Sequence, residues 1–270
     1  MIQVRGLRFT TKTEGPGRGW WGPPKGTHVT GREGLAGGRS PSHTVLMEAI
    51  RNDTIVISPG DDPRQGITES HRMVIEGNGE VIVKPGVEAE KGEDIQAEVA
   101  AYQLSEELGL GIVPATEKGS YEDRPASVQS WVYNADIGYE REGQPIDRAS
   151  ARKVLIFDYI INNDDRHGGN FLEDKKTGKV IAIDHAFAFK TWESGMRLLV
   201  GSDLGERYAK TYGGGFKTAE IKLTGLEKMK FTQTLNNDSF WNNLGLSSPK
   251  LAATQERLRK LIDEGYIEVG

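Results

Sequence analysis

The stretch "INNDDRHGGNFLEDKKTGKVIAIDHAFAF", residues 161–189, combines charged, amide and glycine residues with apolar sequence on both sides. It follows the apolar run VLIFDYI (154–160) and contains a second one, VIAI (180–183). Polar side chains in such core-like surroundings cost free energy unless they are paired or needed for function. The stretch therefore indicates a functional site, and the rest of the chain is interpreted from it.

The spacing of the polar residues predicts the kind of site. Asp165 and Asn170 lie five residues apart in a predicted loop. A site for phosphoryl transfer needs a carboxylate that orients the attacking hydroxyl and an oxygen ligand for magnesium. A predicted hairpin over 171–184 returns Asp184 beside Asn170, and these oxygens suit Mg²⁺ or Mn²⁺ better than zinc. Each part alone also fits a polar turn or a helix N-cap, but the joint arrangement favours a function.

A second group of charged residues is predicted upstream, in a β-hairpin and the helix after it. HRMVIE (71–76) and EVIVKP (80–85) flank an Asn-Gly turn, and residues 93–111 form a predicted helix. Lys84 ends the second strand, and Glu98 lies on the helix face that should be buried. A buried carboxylate requires a partner, so we expect a Lys84–Glu98 ion pair that holds the lysine on nucleotide phosphates. An exposed Lys with a half-exposed Glu is the alternative.

Two further segments complete the predicted site. Residues 66–71 precede the hairpin, and their backbone N–H groups, with the hydroxyls of Thr68 and Ser70, are expected to cover the phosphates. With one Gly, this segment is a weak match to a glycine-rich loop. SVQSWVYN (127–134) is a predicted strand.

Composition excludes several classes of function. The formal net charge of the 270 residues is −5, and no Cys is present. An acidic chain has no bulk electrostatic attraction to nucleic acid or an anionic membrane. A chain without Cys has no disulfides, thiolate zinc sites or cysteine nucleophiles. No apolar run is long enough to span a membrane, and the N-terminus lacks the apolar core of a signal peptide. We expect a cytoplasmic protein that does not bind nucleic acid.

The order of predicted elements divides the chain into three parts. Residues 1–45 contain a Gly- and Pro-rich segment that is expected to be flexible or extended. Within it, Trp20 and Trp21 either fold back onto the body or dock a partner. Residues 46–134 are predicted to form a small β-rich lobe with one helix, and residues 135–270 a larger α-rich lobe. The predicted fold class is α+β, with two lobes.

The larger lobe is expected to begin with a buried helix. Asp147 is the predicted N-cap of RASARKVLIFDYIINN (148–163), which is apolar almost all round in its second half. Residues 190–270 are interpreted as mostly helices and loops. The stretch LAATQERLRKLIDEGYI (251–267) is the clearest amphipathic helix there.

Four of these segments together resemble a known superfamily: VIVKP (81–85), EVAAYQLSEELGLGIVP (98–114), NNDDRHGGNFL (162–172) and IAIDHAFAF (181–189). They are similar to the atypical kinases of the phosphatidylinositol 3-/4-kinase superfamily and the related HipA-type toxin kinases. The resemblance covers roughly residues 64–190 and implies a protein-kinase-like fold. It says little about the substrate.

The resemblance implies a role for each matching residue. Lys84 would contact ATP phosphates, and Glu98 would anchor Lys84. Asp165 would be the catalytic base, and Asn170 and Asp184 would bind Mg²⁺. Adenine would be received through backbone groups of the segment from Gln129 through Trp131 to Val132.

The chain also departs from familiar kinases. His-Ala follows Asp184 where typical protein kinases have Phe-Gly, so a switch built on that Phe is not expected. The leader WWGPPKGTHVTGREG (20–34) resembles linkers in phage morphogenesis proteins that carry kinase-like domains, which would place the protein in a bacterial or phage-infected cytoplasm.

The leading hypothesis is an ATP- and Mg²⁺-dependent phosphotransferase acting on a protein Ser/Thr hydroxyl, its own included. The alternatives are nucleotidyl transfer (AMPylation) on the same fold, a phosphatidylinositol kinase, and a non-catalytic nucleotide-binding phage structural protein. The acidic charge and the lack of a basic amphipathic helix stand against a lipid substrate. Degenerate kinase domains usually lose the Lys, the base or the metal-binding Asp, and the presence of all three favours an enzyme.

Overall fold

The computed structural model describes residues 40–52, 55–57, 69–75, 78–86, 93–191, 202–213 and 219–269. The predictions made for Trp20, Trp21 and Thr68 lie outside these residues. At the end of the predicted N-terminal segment, residues 43–45 are helical rather than extended.

The small lobe is built on an antiparallel sheet of five described strands, in the order β1-β2-β3-β5-β4. The predicted hairpin is present: β2 and β3 pair from His71↔Val83 to Ile75↔Gly79. Gly79 has a φ of 105°, which a side chain would disfavour at this turn. The strands are β1 (Ile55–Ile57), β2 (His71–Ile75), β3 (Gly79–Pro85), β4 (Thr116–Tyr121) and β5 (Arg124–Ser130).

Two helices of the described residues accompany this sheet, α1 (His43–Asn52) and α2 (Glu93–Glu107). The prediction of one helix was therefore wrong. α1 buries Leu46, Ala49 and Ile50, whose i, i+3, i+4 spacing forms one apolar face. α2 ends close to the predicted stop, where Gly109 adopts a φ of 70°.

The large lobe begins with a short strand and a 3-10 helix and is then mostly helical. α3 is capped as predicted, because the Asp147 carboxylate accepts a hydrogen bond from the Ser150 N–H at 2.8 Å. The helix ends at Ile161, where Asn162 adopts a left-handed conformation. The elements are β6 (Ala135–Ile137), the 3-10 helix (Gly138–Arg141), α3 (Arg148–Ile161), β7 (Phe171–Asp174), β8 (Val180–Ala182), α4 (Asp203–Tyr212), β9 (Ala219–Lys222), α5 (Gly225–Leu235), α6 (Asp238–Asn243), α7 (Ser248–Glu264) and β10 (Tyr266–Val269).

Two sequence-based boundaries were wrong, and the strands β9 and β10 were missed. The strand predicted over 127–134 ends at Ser130, because the chain there leaves the sheet to cross to the other lobe. The helix predicted over 251–267 ends at Glu264, where Gly265 has a φ of 81°. The chain then forms β10, which pairs with β9, a strand that was also missed.

Within the part of the chain that the structure describes, the buried hydrophobic residues form two clusters, one per lobe. One packs α1 against the five-stranded sheet, around Leu46, Met73 and Val81. The other fills the large lobe around α3 and α7, and it also contains Ala100 and Leu104 of α2. The fold is thus α+β with two lobes, as predicted, and α2 contributes to the core of the larger one. Among the described helices, none is both long and apolar enough to cross a membrane.

Candidate active site

A cleft of about 290 Å³ lies between the lobes. A cavity of this size is at the lower end of the range for small-molecule sites. Five of the predicted site residues line it together: Ser70, Lys84, Gln129, Trp131 and Val132. The predicted metal ligand Asp184 lines it as well.

The cleft has apolar walls that sequence reasoning did not identify. Ile82 of β3 lies on the small-lobe side, and Leu172 of β7 and Ile183 lie on the large-lobe side. Apolar side chains on two opposing walls suit a flat aromatic ring. For Ile82 a signal was available, since it lies two residues from Lys84 and therefore on the same face of β3.

The connection between the lobes carries a free backbone donor at one side of the cleft. The Trp131 N–H donates to the Glu80 carbonyl at 2.9 Å, so it is already used. The Val132 N–H has no acceptor within the described part of the chain. The Gln129 side chain donates to the Thr116 hydroxyl at 2.9 Å, and this bond fixes the side chain near the end of β5. Val132 therefore offers a backbone N–H that no described residue uses.

Lys84 and Glu98 form the predicted ion pair. Lys84 Nζ lies 3.0 Å from Glu98 Oε1 and 3.4 Å from Asp184 Oδ1. Burial works against both charges, but attraction outweighs it: Glu98 and then Asp184 raise the pKa of Lys84 above its ordinary value. Lys84 and then His185 lower the pKa of Glu98. The lysine is therefore a cation at neutral pH, held between two carboxylates at the cleft.

The loop after α3 holds the other predicted residues together. The Asn170 amide nitrogen donates to the Asp165 carbonyl at 2.7 Å and to its carboxylate at 3.2 Å. Asn170 is buried, whereas 46% of the Asp165 side chain is exposed. The Ile183 N–H donates to the Asn170 carbonyl at 3.2 Å, so the hairpin returns Asp184 next to Asn170, as predicted.

Close packing under this loop explains one of its glycines. The Tyr139 ring stacks on the His167 ring, with centroids 5.8 Å apart. A side-chain carbon at Gly168 would lie 2.5 Å from the Tyr139 ring. The Gly168 N–H donates to the Asp203 carboxylate at 2.6 Å, which ties the loop to the start of α4. The Gly-Gly pair is therefore more than a polar turn.

Arg166 connects several buried parts of the site. The sequence alone did not indicate a role for it. It is fully buried and donates to both oxygens of the buried Asp158, at 2.9 and 2.7 Å. It also donates to the Ile183 carbonyl at 2.7 Å and to the Asn170 carbonyl. Arg166 thus connects the Asp165–Asn170 loop to the strand that carries Asp184. A charged residue inside the apolar run of α3, Asp158, was the sequence signal for this pair.

The chain just after Asp184 is held by several contacts. The Phe189 N–H donates to the Ile161 carbonyl, and Phe189 is fully buried. The Lys190 carbonyl accepts from the Asn162 amide at 3.3 Å and from the Arg257 guanidinium at 3.2 Å. Lys190 Nζ also forms an ion pair with Asp164. These contacts hold residues 189 and 190 against the end of α3 and against α7.

The residues present fit a magnesium ion with few protein ligands. Within the described ranges, no group of three or more His, Cys, Asp or Glu residues could hold a metal by itself. The side-chain nitrogen of Asn170 donates to Asp165, which leaves the side-chain oxygen of Asn170 as an acceptor. Asp184 presents a carboxylate on a side chain that is 35% exposed. Mg²⁺ commonly takes one or two protein oxygens and completes its shell with water and phosphate oxygens.

Comparisons with known proteins agree with this site in part. Residues 148–198 match the family model described as phosphatidylinositol 3- and 4-kinase. The match is about a fifth of the chain and contains α3, the Asp165–Asn170 loop and Asp184. It supports a phosphotransferase of the kinase type. No curated protein matches the chain.

One solved structure to which the chain is similar is a proinflammatory kinase, CtkA, of Helicobacter pylori. The two are 15% identical with a TM-score of 0.48, and the similarity covers 77% of this chain and 93% of that one. The likeness to HipA-type kinases and to phage proteins stays a prediction.

Proposed function

We propose that the protein is an ATP- and Mg²⁺-dependent kinase that transfers the γ-phosphoryl group to a protein Ser or Thr hydroxyl, in the cytoplasm. One observation supports this above the others: Lys84, paired with Glu98, faces Asp184 across 3.4 Å at the cleft. A cation and a carboxylate that approach each other from opposite lobes are the two groups that Mg·ATP requires.

The cleft accounts for each part of the nucleotide. Adenine would lie between Ile82 and Leu172 and accept a hydrogen bond from the Val132 N–H. Lys84 would bind phosphate oxygens, with the hydroxyl of Ser70 on the same side of the cleft. Thr68 remains part of the proposal, without a described position. Asn170 and Asp184 would hold Mg²⁺, which supplies positive charge against the phosphates.

Asp165 is the proposed general base. Its carboxylate is held by Asn170 at 3.2 Å yet remains about half exposed, so an acceptor hydroxyl can reach it from solvent. Orientation and deprotonation of the acceptor are the tasks of such a carboxylate. An exposed base favours an acceptor on a large molecule such as a protein, since a small acceptor gains more from an enclosed pocket.

The test is transfer of label from ATP. Purified protein is incubated with Mg²⁺ and ATP labelled at either the γ or the α phosphate, alone and with a generic protein substrate. The proposal predicts that γ label appears on protein Ser or Thr residues, located by mass spectrometry. Transfer of α label would instead establish nucleotidyl transfer. Transfer of γ label to phosphatidylinositol vesicles but not to protein would establish a lipid kinase.

A further inference from the structure

His185 lies at the junction of the two lobes, in the position after Asp184. It is fully buried, and its two ring nitrogens face charged groups on opposite sides. Nε2 lies 3.2 Å from Arg166 Nη2, in the large lobe. Nδ1 lies 3.5 Å from Glu98 Oε2, on the side of α2. The other carboxylate oxygen of Glu98 binds Lys84. A chain of polar contacts thus runs from Asp158 through Arg166, His185 and Glu98 to Lys84.

The partners determine where the ring carries its proton. A guanidinium can only donate, so Nε2 must be the unprotonated nitrogen that accepts from Arg166. The proton then lies on Nδ1 and points at Glu98, which as a carboxylate can only accept. Every group in the chain is therefore matched in donor and acceptor character.

Glu98 Oε2 and His185 Nδ1 have no better partner. Both atoms are buried, and the described structure gives neither of them a hydrogen-bond partner. Their separation of 3.5 Å is a few tenths of an ångström longer than a good hydrogen bond. Because an unpaired buried polar atom is costly, the two atoms gain free energy by closing this gap to a hydrogen bond.

We propose that His185 is a positioning residue: it joins Glu98 to Arg166 across the lobes and so fixes the Glu98 carboxylate that holds Lys84 on the nucleotide. This inference rests on the proposed function. If Lys84 were its only partner, the Glu98 carboxylate could move together with the lysine side chain. A second contact with His185 holds the carboxylate in one orientation. The position of the lysine in the cleft then depends on a residue that does not itself line the cleft.

The alternative is that His185 only fills space against Phe157, whose ring centroid lies 6.0 Å away. Two nearly isosteric variants separate the two roles. In His185→Asn, the amide nitrogen reaches the place of Nδ1 and can still donate to Glu98. In His185→Gln, the amide oxygen reaches the place of Nε2 and can still accept from Arg166, but the bond to Glu98 is lost. Both remove the ring contact with Phe157.

The experiment is a double-mutant cycle read out as KM for ATP and kcat. Wild type, His185→Gln, Glu98→Gln and the double variant are compared, with His185→Asn as the matched rescue. We expect His185→Gln to raise KM for ATP roughly tenfold or more, as for loss of a hydrogen bond to a charged group. His185→Asn should raise KM less than His185→Gln does, because it keeps the bond to Glu98 and loses only the one to Arg166. In the Glu98→Gln background, His185→Gln should change KM little further.

A readout without nucleotide accompanies the cycle. In ¹⁵N-histidine-labelled wild type, long-range proton–nitrogen spectra should show His185 with its proton on Nδ1. A proton on Nε2, equal KM values for the Asn and Gln variants, or effects that multiply across the cycle would overturn the inference. If wild type turns over ATP and the cycle is multiplicative, only this inference fails. If wild type has no ATP turnover, the proposed function fails and the inference fails with it.

Discussion

Asp184 holds its backbone at a φ of 59°, which is unusual for a residue with a side chain. This conformation costs roughly 1–2 kcal/mol relative to ordinary backbone. Non-glycine residues persist there only when their surroundings enforce it, and such residues concentrate at functional sites. The hydrogen bonds at Asn170, Ile183 and Arg166 supply that enforcement just before Asp184. The strained residue is the one whose carboxylate faces Lys84.

At the residue scale, the adjacent Asp164 and Asp165 allow a matched test of the proposed base. Asp165→Ala should lower the rate of phosphoryl transfer by about 10²–10⁴-fold, since a positioned general base contributes that much. ATP binding should change little, because Asn170 keeps its bond to the Asp165 backbone carbonyl. Single-turnover transfer and analogue binding by calorimetry measure the two effects.

Asp164→Ala is the control for this prediction. Asp164 pairs with Lys190 and is partly exposed. The variant removes an aspartate from the same loop and should keep most of the transfer activity. Equal losses in the two variants, or full activity in Asp165→Ala, would contradict the role given to Asp165.

At the scale of elements, α3 carries the site. Its body is buried by apolar residues, its Asp158 binds Arg166, and its end leads into the Asp165–Asn170 loop. Asp147 fixes where the helix begins, accepting from the N–H of Ser150 at 2.8 Å and from its hydroxyl at 2.7 Å. The Asp147 N–H also donates to the Gly178 carbonyl, so the same residue ties α3 to the turn between β7 and β8.

The N-cap makes a prediction about stability and pH. Asp147→Ala should lower the free energy of unfolding at pH 7 by about 1 kcal/mol, the usual effect of losing such a cap. The bonds from Ser150 lower the pKa of Asp147 in the folded protein. A carboxyl group whose pKa is lower in the folded state stabilises the folded protein when the pH is above its unfolded pKa, about 3.9. This contribution is lost as the pH falls through the folded pKa.

The difference between wild type and Asp147→Ala should therefore shrink as the pH falls below about 4. Urea unfolding of both proteins at neutral and acidic pH measures it. Asp147→Asn is the control, because its amide oxygen still accepts from Ser150 without titrating. A difference that stays constant or grows in acid would show that the Asp147 charge is not responsible.

Elements with strong local signals could be predicted from the sequence. The Asn78-Gly79 turn, the stop at Gly109 and the Asp147 cap each depend on a few neighbouring residues, and the structure has all three. β9 and β10 could not be found, because each is four residues long and their pairing joins positions more than 40 apart. α1 was missed although its apolar face is regular, because it follows a long Gly- and Pro-rich segment.

The candidate site was predictable to a similar degree. Lys84, Glu98, Asn170 and Asp184 come together because each lies at a defined point of a recognisable strand, helix or hairpin. The buried network under them could not be derived. Arg166 is next to Asp165 in sequence, but only tertiary structure places it against Asp158 and His185.

At the scale of the whole molecule, α2 belongs to both lobes. It packs beside β4 and β5, and it is also bonded to the helices of the large lobe. The Gln96 amide donates to the Leu244 carbonyl at 2.6 Å, and the Thr234 hydroxyl donates to the Glu107 carbonyl at 3.1 Å. The helix that carries Glu98 is therefore bonded to the large lobe near both of its ends.

The central claim is that this cleft binds a nucleotide together with Mg²⁺ through Asp184. The most direct test is the affinity for a non-hydrolysable ATP analogue, measured by calorimetry with Mg²⁺ and with a chelator. Wild type and Asp184→Asn are compared, and Asp123→Asn, in the exposed turn between β4 and β5, serves as the control.

We predict that wild type and Asp123→Asn lose at least about tenfold in affinity when Mg²⁺ is removed, which is about 1.4 kcal/mol of binding free energy. Asp184→Asn should bind weakly and be insensitive to Mg²⁺, because its metal ligand is gone. Binding of equal strength with and without Mg²⁺ in wild type, or an Asp184→Asn variant that keeps the full magnesium effect, would contradict the account.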